Sequence, residues 1–206
     1  MTILCWNCQG IGNPWTVKGL KRLVSLLHPK LNFLSETRCT VREIDGVRRQ
    51  VGWKNAFSVS CRFEKKSHGK RVSRARGICL LWTDDIRVSL KSYSENHIDV
   101  MVRGLEDDQE WRFTDVYGEP RAENRHQTWS LIKNLGREKT KMWEMGGDFN
   151  EIASSVEKEG GGALRPDRQM EAFKEALEEC ELADLRFVGP SFTWKGNVMG
   201  NGLKSG

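Results

Sequence analysis

Residues 142–150 read MWEMGGDFN, a short apolar stretch that leads into two glycines and two polar residues. The alternation over residues 142–145 predicts a short strand. Gly146 and Gly147 permit a sharp turn of the backbone, so Asp148 and Asn150 are expected to project beyond the edge of a sheet. Carboxylates at the ends of strands often carry chemistry in α/β proteins, which makes Asp148 a candidate functional residue.

Polar residues also lie at or just after the ends of other predicted strands. A strand over residues 2–8 contains Asn7, a strand over 31–34 leads into Glu36, and a strand over 111–117 ends at Tyr117. If these strands are neighbours, their polar side chains converge with Asp148 and Asn150. The sequence therefore predicts one polar cluster built from distant stretches of the chain.

The remaining pattern contains more strands than helices. Further strands are predicted over residues 56–61, 77–82, 86–91 and 97–103, and helices over 15–27, 41–51, 123–135 and 166–182. Several strands are consecutive, which favours an α/β (α+β) fold of packed sheets with helices outside, rather than alternating βαβ units. With 206 residues and no linker, we expect a single domain over 1–206.

Composition limits the function classes. The formal net charge of +5 suits a polyanionic partner, and no apolar run of 18 or more residues or secretory leader is apparent, which disfavours a membrane protein. The six cysteines are expected to be reduced in an intracellular chain, and the lone Cys5-x-x-Cys8 pair disfavours zinc. A nuclear location is left open.

The residue types in the predicted cluster suit phosphate chemistry. Glu36 is a candidate ligand for Mg²⁺, and Asp148 is a candidate to orient or deprotonate water. Asn7 and Asn150 hold oxygens without adding charge, and Tyr117 offers a phenolic donor. Each also has a structural alternative: a solvated cap for the carboxylates, packing for Tyr117 and loop hydrogen bonds for the asparagines.

Five ordered blocks carry a family resemblance: WNCQG at 6–10, LSETR at 34–38, DVYGEP at 115–120, GDFNEI at 147–152 and SFTW at 191–194. Together they resemble the endonuclease/exonuclease/phosphatase superfamily. NHIDV at 96–100, EKEGG at 157–161, Arg165-Pro166 and Gln169-Met170 make the chain most similar to the abasic-site-type endonuclease domain of plant non-LTR, LINE-type retrotransposons.

The resemblance implies a four-layer α/β sandwich of two packed mixed sheets flanked by helices. It implies catalytic roles for Asn7, Glu36, Tyr117, Asp148 and Asn150. Glu36, as the metal carboxylate, and Asn7 are the implied metal-binding residues, and Mg²⁺ or Mn²⁺ is the implied cofactor. The implied activity is DNA nicking that primes reverse transcription, by a monomer whose parent element carries a reverse transcriptase domain.

The resemblance also implies a departure. The family chain continues to a terminal Ser-Asp-His block, which residues 195–206 do not contain. We therefore expect a domain that lacks its last strands, from a truncated retroelement copy or gene model. The open alternatives are a catalytically silent remnant that at most binds nucleic acid nonspecifically, and a related hydrolase of a phosphoinositide, sphingomyelin or an RNA tail.

Basic residues cluster between positions 62 and 76. A flexible loop is predicted there, and the candidates for nucleic-acid contact are Lys65, Lys66, Lys70, Arg71, Arg74 and Arg76, together with Trp194. Such a cluster grips phosphates nonspecifically, or it forms an ordinary solvated surface.

Overall fold

The computed structural model describes residues 1–65, 72–105, 109–139, 142–158 and 165–185. In these ranges the helices are α1 (Pro14–Leu27), α2 (Val41–Val51), α3 (His126–Gly136) and α4 (Asp167–Glu179). The strands are β1 (Ile3–Asn7), β2 (Leu31–Ser35), β3 (Asn55–Val59), β4 (Arg62–Lys65), β5 (Val72–Ala75), β6 (Ile78–Trp82), β7 (Ile86–Tyr93), β8 (His97–Gly104), β9 (Glu110–Tyr117) and β10 (Trp143–Asp148).

Eight strands form two four-stranded sheets, with the orders β1-β2-β6-β3 and β10-β9-β8-β7. Each sheet contains one parallel pair, β1 with β2 and β9 with β10, and its other pairs are antiparallel. Both sheets are therefore mixed, as the family resemblance implies.

Three apolar clusters separate four layers. The first lies between α1, α2 and the outer face of the first sheet, and includes Leu20, Ile44 and Leu81. The second lies between the sheets, and the third packs β10 against α3 and α4 through Ile132 and Phe173. The expected four-layer α/β sandwich is confirmed.

Local sequence fixes the helix boundaries. Thr40 and Glu43 form a reciprocal capping box at the start of α2, and Gly52 ends it in the left-handed conformation. In α1 the buried residues are Val17 and Leu20. The helical spacing of apolar residues over 15–27 begins at Trp15, yet Trp15 is 76% exposed, because two residues at 100° each place it on the side of the helix opposite Val17.

Three element assignments differ from the sequence-based expectations. The two ends of the basic cluster, Arg62–Lys65 and Val72–Ala75, pair as the antiparallel ribbon β4-β5, so the prediction of a loop from 62 to 76 was wrong for these residues. Strand β10 continues through Gly146 and Gly147 to Asp148, because β9 pairs with it throughout. The predicted helix over 123–135 is a 3-10 turn, Ala122–Asn124, followed by α3.

Two further findings concern the described residues. No helix among them has the length and apolar character needed to cross a membrane. All six cysteines are free thiols.

Candidate active site

The site lies where the carboxyl ends of the two parallel strand pairs meet. In the first sheet Asn7 pairs with Ser35, the residue before Glu36. In the second sheet Tyr117 pairs with Asp148. The strand register therefore brings both pairs of polar side chains to one end of the sandwich, as the sequence predicts.

One amide joins the two carboxylates across the sheets. Asn7 Nδ2 donates to Glu36 Oε1 at 3.2 Å and to Asp148 Oδ2 at 2.7 Å. The Tyr117 hydroxyl donates to the same Glu36 Oε1 at 2.9 Å. Four of the predicted site residues thus form one hydrogen-bonded cluster, in which Glu36 is one side chain away from Asp148.

Asn150 belongs to the same loop but has a different set of contacts. Its backbone N–H donates to Asp148 Oδ1 at 3.0 Å, and its Nδ2 donates to the Gly118 carbonyl at 2.8 Å. With a φ of 53° it occupies the left-handed region, where asparagine is favoured. Asn150 therefore fixes the Asp148 carboxylate and ties its loop to the strand end that carries Tyr117.

Glycine is required where these two strand ends touch. A Cβ at Gly118 would lie 1.9 Å from the carbonyl oxygen of Phe149, and the Gly118 N–H donates to the Asp148 carbonyl at 2.7 Å. Gly147 has a φ of 120°, and a Cβ there would lie 2.0 Å from the Val116 carbonyl oxygen. Close backbone approach therefore explains both glycines.

Hydrogen bonding keeps Glu36 ionised. Partial burial alone would raise the pKa of its carboxyl, but donors on Asn7, Tyr117 and Arg38 together lower the pKa below its usual value. Burial, and then the charge of Glu36, raise the pKa of Tyr117. The phenol is thus a stable donor facing a stable carboxylate.

The donor set suits a hard cation. Within the described ranges no group of three or more His, Cys, Asp or Glu side chains is arranged to hold a metal. Mg²⁺ commonly binds through one or two carboxylates and keeps several waters. Glu36, with Asp148 beyond the bridging amide, meets that requirement.

The candidates for nucleic-acid contact fall into two groups. Lys65 ends β4, Arg74 lies in β5, and Arg76 follows it. Arg74 pairs with Glu43 at 2.8 Å, and Arg76 pairs with Glu119. The other candidates, Lys66, Lys70, Arg71 and Trp194, lie outside the described residues.

Sequence reasoning missed two charged residues at the site. Arg38 Nη2 donates to Glu36 Oε2 at 2.8 Å. Glu119, whose side chain is 8% exposed, holds Arg76 close enough to Tyr117 for the guanidinium charge to oppose the rise in the Tyr117 pKa. The only available signal was their place inside the LSETR and DVYGEP blocks.

Several solved structures have a fold similar to that of this chain. No family model matches the chain, and no curated protein matches it. Among solved structures, an AP endonuclease from Archaeoglobus fulgidus has a TM-score of 0.61 at 13% identity, over 86% of this chain and 70% of that one. The 3′ phosphatase NExo from Neisseria, bound to product DNA hairpin, has a TM-score of 0.56 at 15% identity, over 87% and 71%.

A third similar structure is the endonuclease domain of TRAS1, a telomere-specific non-LTR retrotransposon. Its TM-score is 0.54 at 14% identity, over 86% of this chain and 69% of that one. At such identities the likeness concerns the fold alone. The chain therefore shares its α/β sandwich fold with these proteins.

Proposed function

We propose that this chain is a Mg²⁺-dependent phosphodiester hydrolase that nicks DNA, an endonuclease of the plant LINE type that leaves an end for reverse transcription. The observation that carries the proposal is the Asn7 amide that joins Glu36 and Asp148 across the two sheets. Structures of similar fold include an AP endonuclease, a phosphatase bound to DNA and a retrotransposon endonuclease domain.

The residues divide the chemistry between them. Asp148 holds the attacking water and takes its proton, because the Asn7 amide fixes one of its oxygens and the Asn150 N–H fixes the other. The Tyr117 phenol, which stays protonated, would turn its single O–H from Glu36 Oε1 to a phosphate oxygen as negative charge develops there. Glu36 would hold Mg²⁺, which neutralises charge on the phosphoryl oxygens when bound.

The choice of substrate rests on charge and on the DNA-bound neighbour. The net charge of +5 favours a polyanion, and a nick with a 3′-hydroxyl would serve as the primer for a reverse transcriptase carried by the parent element. A monomer suffices for this reaction, because the whole candidate cluster comes from one chain.

A supercoiled-plasmid nicking assay with Mg²⁺ tests the proposal. We expect nicking by the wild type and strong loss in Glu36→Ala and Asp148→Ala. Asp84→Asn serves as a control, because Asp84 is exposed and lies just after the end of β6 that is remote from the candidate site. Extension of the nick by a DNA polymerase without prior phosphatase treatment would show the 3′-hydroxyl.

Equal nicking by all four proteins would refute the assignment. Binding that weakens with salt, ignores Mg²⁺ and gives no nicks would instead select the alternative, a remnant that only binds nucleic acid.

A further inference from the structure

The two oxygens of Glu36 have different partners. Oε1 accepts from the neutral donors Asn7 Nδ2, at 3.2 Å, and the Tyr117 hydroxyl, at 2.9 Å. Oε2 accepts from the Arg38 guanidinium, at 2.8 Å. A cation of the chain itself, the Arg38 guanidinium, therefore contacts one oxygen of the carboxylate that is the candidate metal ligand.

Arg38 lies next to Arg76, and the two arginines differ in how exposed their ion pairs are. The Arg38 N–H donates to the Arg76 carbonyl at 2.9 Å, and both residues are left-handed, with φ of 53° and 62°. The Arg76 side chain is 16% exposed and its partner Glu119 is 8% exposed, so that ion pair is enclosed. The Arg38 side chain is 46% exposed, so its guanidinium has solvent on one side.

The strength of the two ion pairs follows from this difference. An ion pair with an exposed member changes an equilibrium constant by a factor of up to about five, whereas breaking a buried pair leaves an uncompensated charge and is far more unfavourable. Arg38 therefore leaves its carboxylate readily, and Arg76 does not.

We propose that Arg38 exchanges partners: it holds Glu36 in the metal-free protein and passes to a phosphate of the DNA strand when a divalent cation takes the carboxylate. A bound cation would repel the guanidinium and compete with it for the Glu36 carboxylate. A phosphate next to the site accepts the planar guanidinium through two parallel hydrogen bonds. The DNA half of this exchange rests on the proposed nuclease function, and the metal half does not.

The metal half is measured without turnover. Mn²⁺ affinity is determined by calorimetry for the wild type, Arg38→Gln, Arg38→Lys and the matched surface control Arg49→Gln. Arg49 pairs with Asp45 at 3.2 Å in α2 and is 68% exposed. We expect Arg38→Gln to bind Mn²⁺ about two- to fivefold more tightly, because the competing cation is gone, and Arg49→Gln to match the wild type.

The Arg38→Lys variant separates the effect of losing the positive charge from the effect of changing the side chain. Arg38→Lys keeps the positive charge, so its Mn²⁺ affinity should stay within about twofold of the wild type. Unchanged or weaker Mn²⁺ binding by Arg38→Gln, with native circular dichroism, would overturn the exchange. So would a wild type that binds no Mn²⁺.

The DNA half is measured by fluorescence anisotropy with a duplex at increasing KCl. All proteins in this arm carry Asp148→Asn, so that cleavage does not interfere. With Mn²⁺, Arg38→Gln should lower the slope of log affinity against log salt by about one, the value for one lost phosphate contact. Without Mn²⁺ the slope should not change, because Arg38 is then held by Glu36.

The two arms give distinct failures. An equal slope change with and without Mn²⁺ would overturn the exchange, since Arg38 would then touch phosphate in both states. If Arg38→Gln binds Mn²⁺ more tightly but neither the wild type nor any variant nicks DNA, the competition between Arg38 and the cation for Glu36 is upheld and the nuclease function is refuted.

Discussion

Asn7 gives the sharpest mutational test of the site. Replacing it with alanine removes one amide that donates to Glu36 at 3.2 Å and to Asp148 at 2.7 Å. A hydrogen bond to a charged group contributes about 1.5–3 kcal/mol. The Glu36 side chain is 20% exposed, which favours the lower end of that range for each bond.

Two bonds at the lower end sum to about 3 kcal/mol, which corresponds to about a hundredfold in rate if both act in the transition state. We expect the initial rate of plasmid nicking at saturating Mg²⁺ to fall by about that factor in Asn7→Ala. The acid limb of the pH–rate profile should also move to higher pH. Burial raises the pKa of Glu36, and the hydrogen bond from Asn7 is the largest of the effects that lower it. Without that hydrogen bond the pKa of Glu36 rises, so the carboxylate becomes protonated at a higher pH.

Asn13→Ala is the matched control. Asn13 caps α1 through its side-chain oxygen, which accepts from the Trp15 N–H at 2.9 Å, so this variant also loses one asparagine side chain. It should lose about 1 kcal/mol of unfolding free energy and keep its nicking rate. Nicking by a folded Asn7→Ala protein within threefold of the wild-type rate would refute the reasoning.

Three further changes probe the frame around the site. Gly118→Ala should lower the unfolding free energy by about 1–3 kcal/mol and abolish nicking, because the new Cβ would lie 1.9 Å from the Phe149 carbonyl oxygen; urea unfolding and the plasmid assay measure both. Asp99→Ala should destabilise the fold by about 3–5 kcal/mol in urea, because it leaves the Arg112 guanidinium buried without the carboxylate that binds it at 2.9 Å; a loss below 1 kcal/mol would contradict this. His97→Gln should flatten the fall in stability below pH ~6.5, because burial lowers the pKa of His97 and the unfolded chain binds the proton first; identical pH profiles of unfolding would argue against it.

The sequence predicts that these polar side chains converge where strand periodicity and polar strand ends coincide. Asn7 and Tyr117 end strands, and Glu36 and Asn150 lie just beyond strand ends, so a correct strand assignment already places them near one edge. The order of strands in the two sheets decides which edges meet, and single-sequence periodicity does not contain that order. The family resemblance implied that the five residues share one active site, but it did not give the strand order.

Other features were hidden because they depend on contacts between distant residues. Arg112 and Asp99 are charged residues in strands, and sequence alone assigns such residues to the surface, yet both side chains are 2% exposed and paired. The left-handed backbone at Glu36 and Arg38 could not be predicted, because neither position is a glycine. The ribbon β4-β5 lacks apolar alternation, so its polar composition resembles a loop.

The most direct measurement is single-turnover cleavage of a 5′-labelled duplex at saturating Mg²⁺ by the wild type and by Glu36→Gln. The amide keeps the shape of the side chain and removes the charge that would hold the cation. If Glu36 is the carboxylate of a metal-dependent phosphodiesterase, the wild type cleaves and the variant loses at least about a hundredfold in rate. Cleavage at the same rate by both proteins would contradict the account.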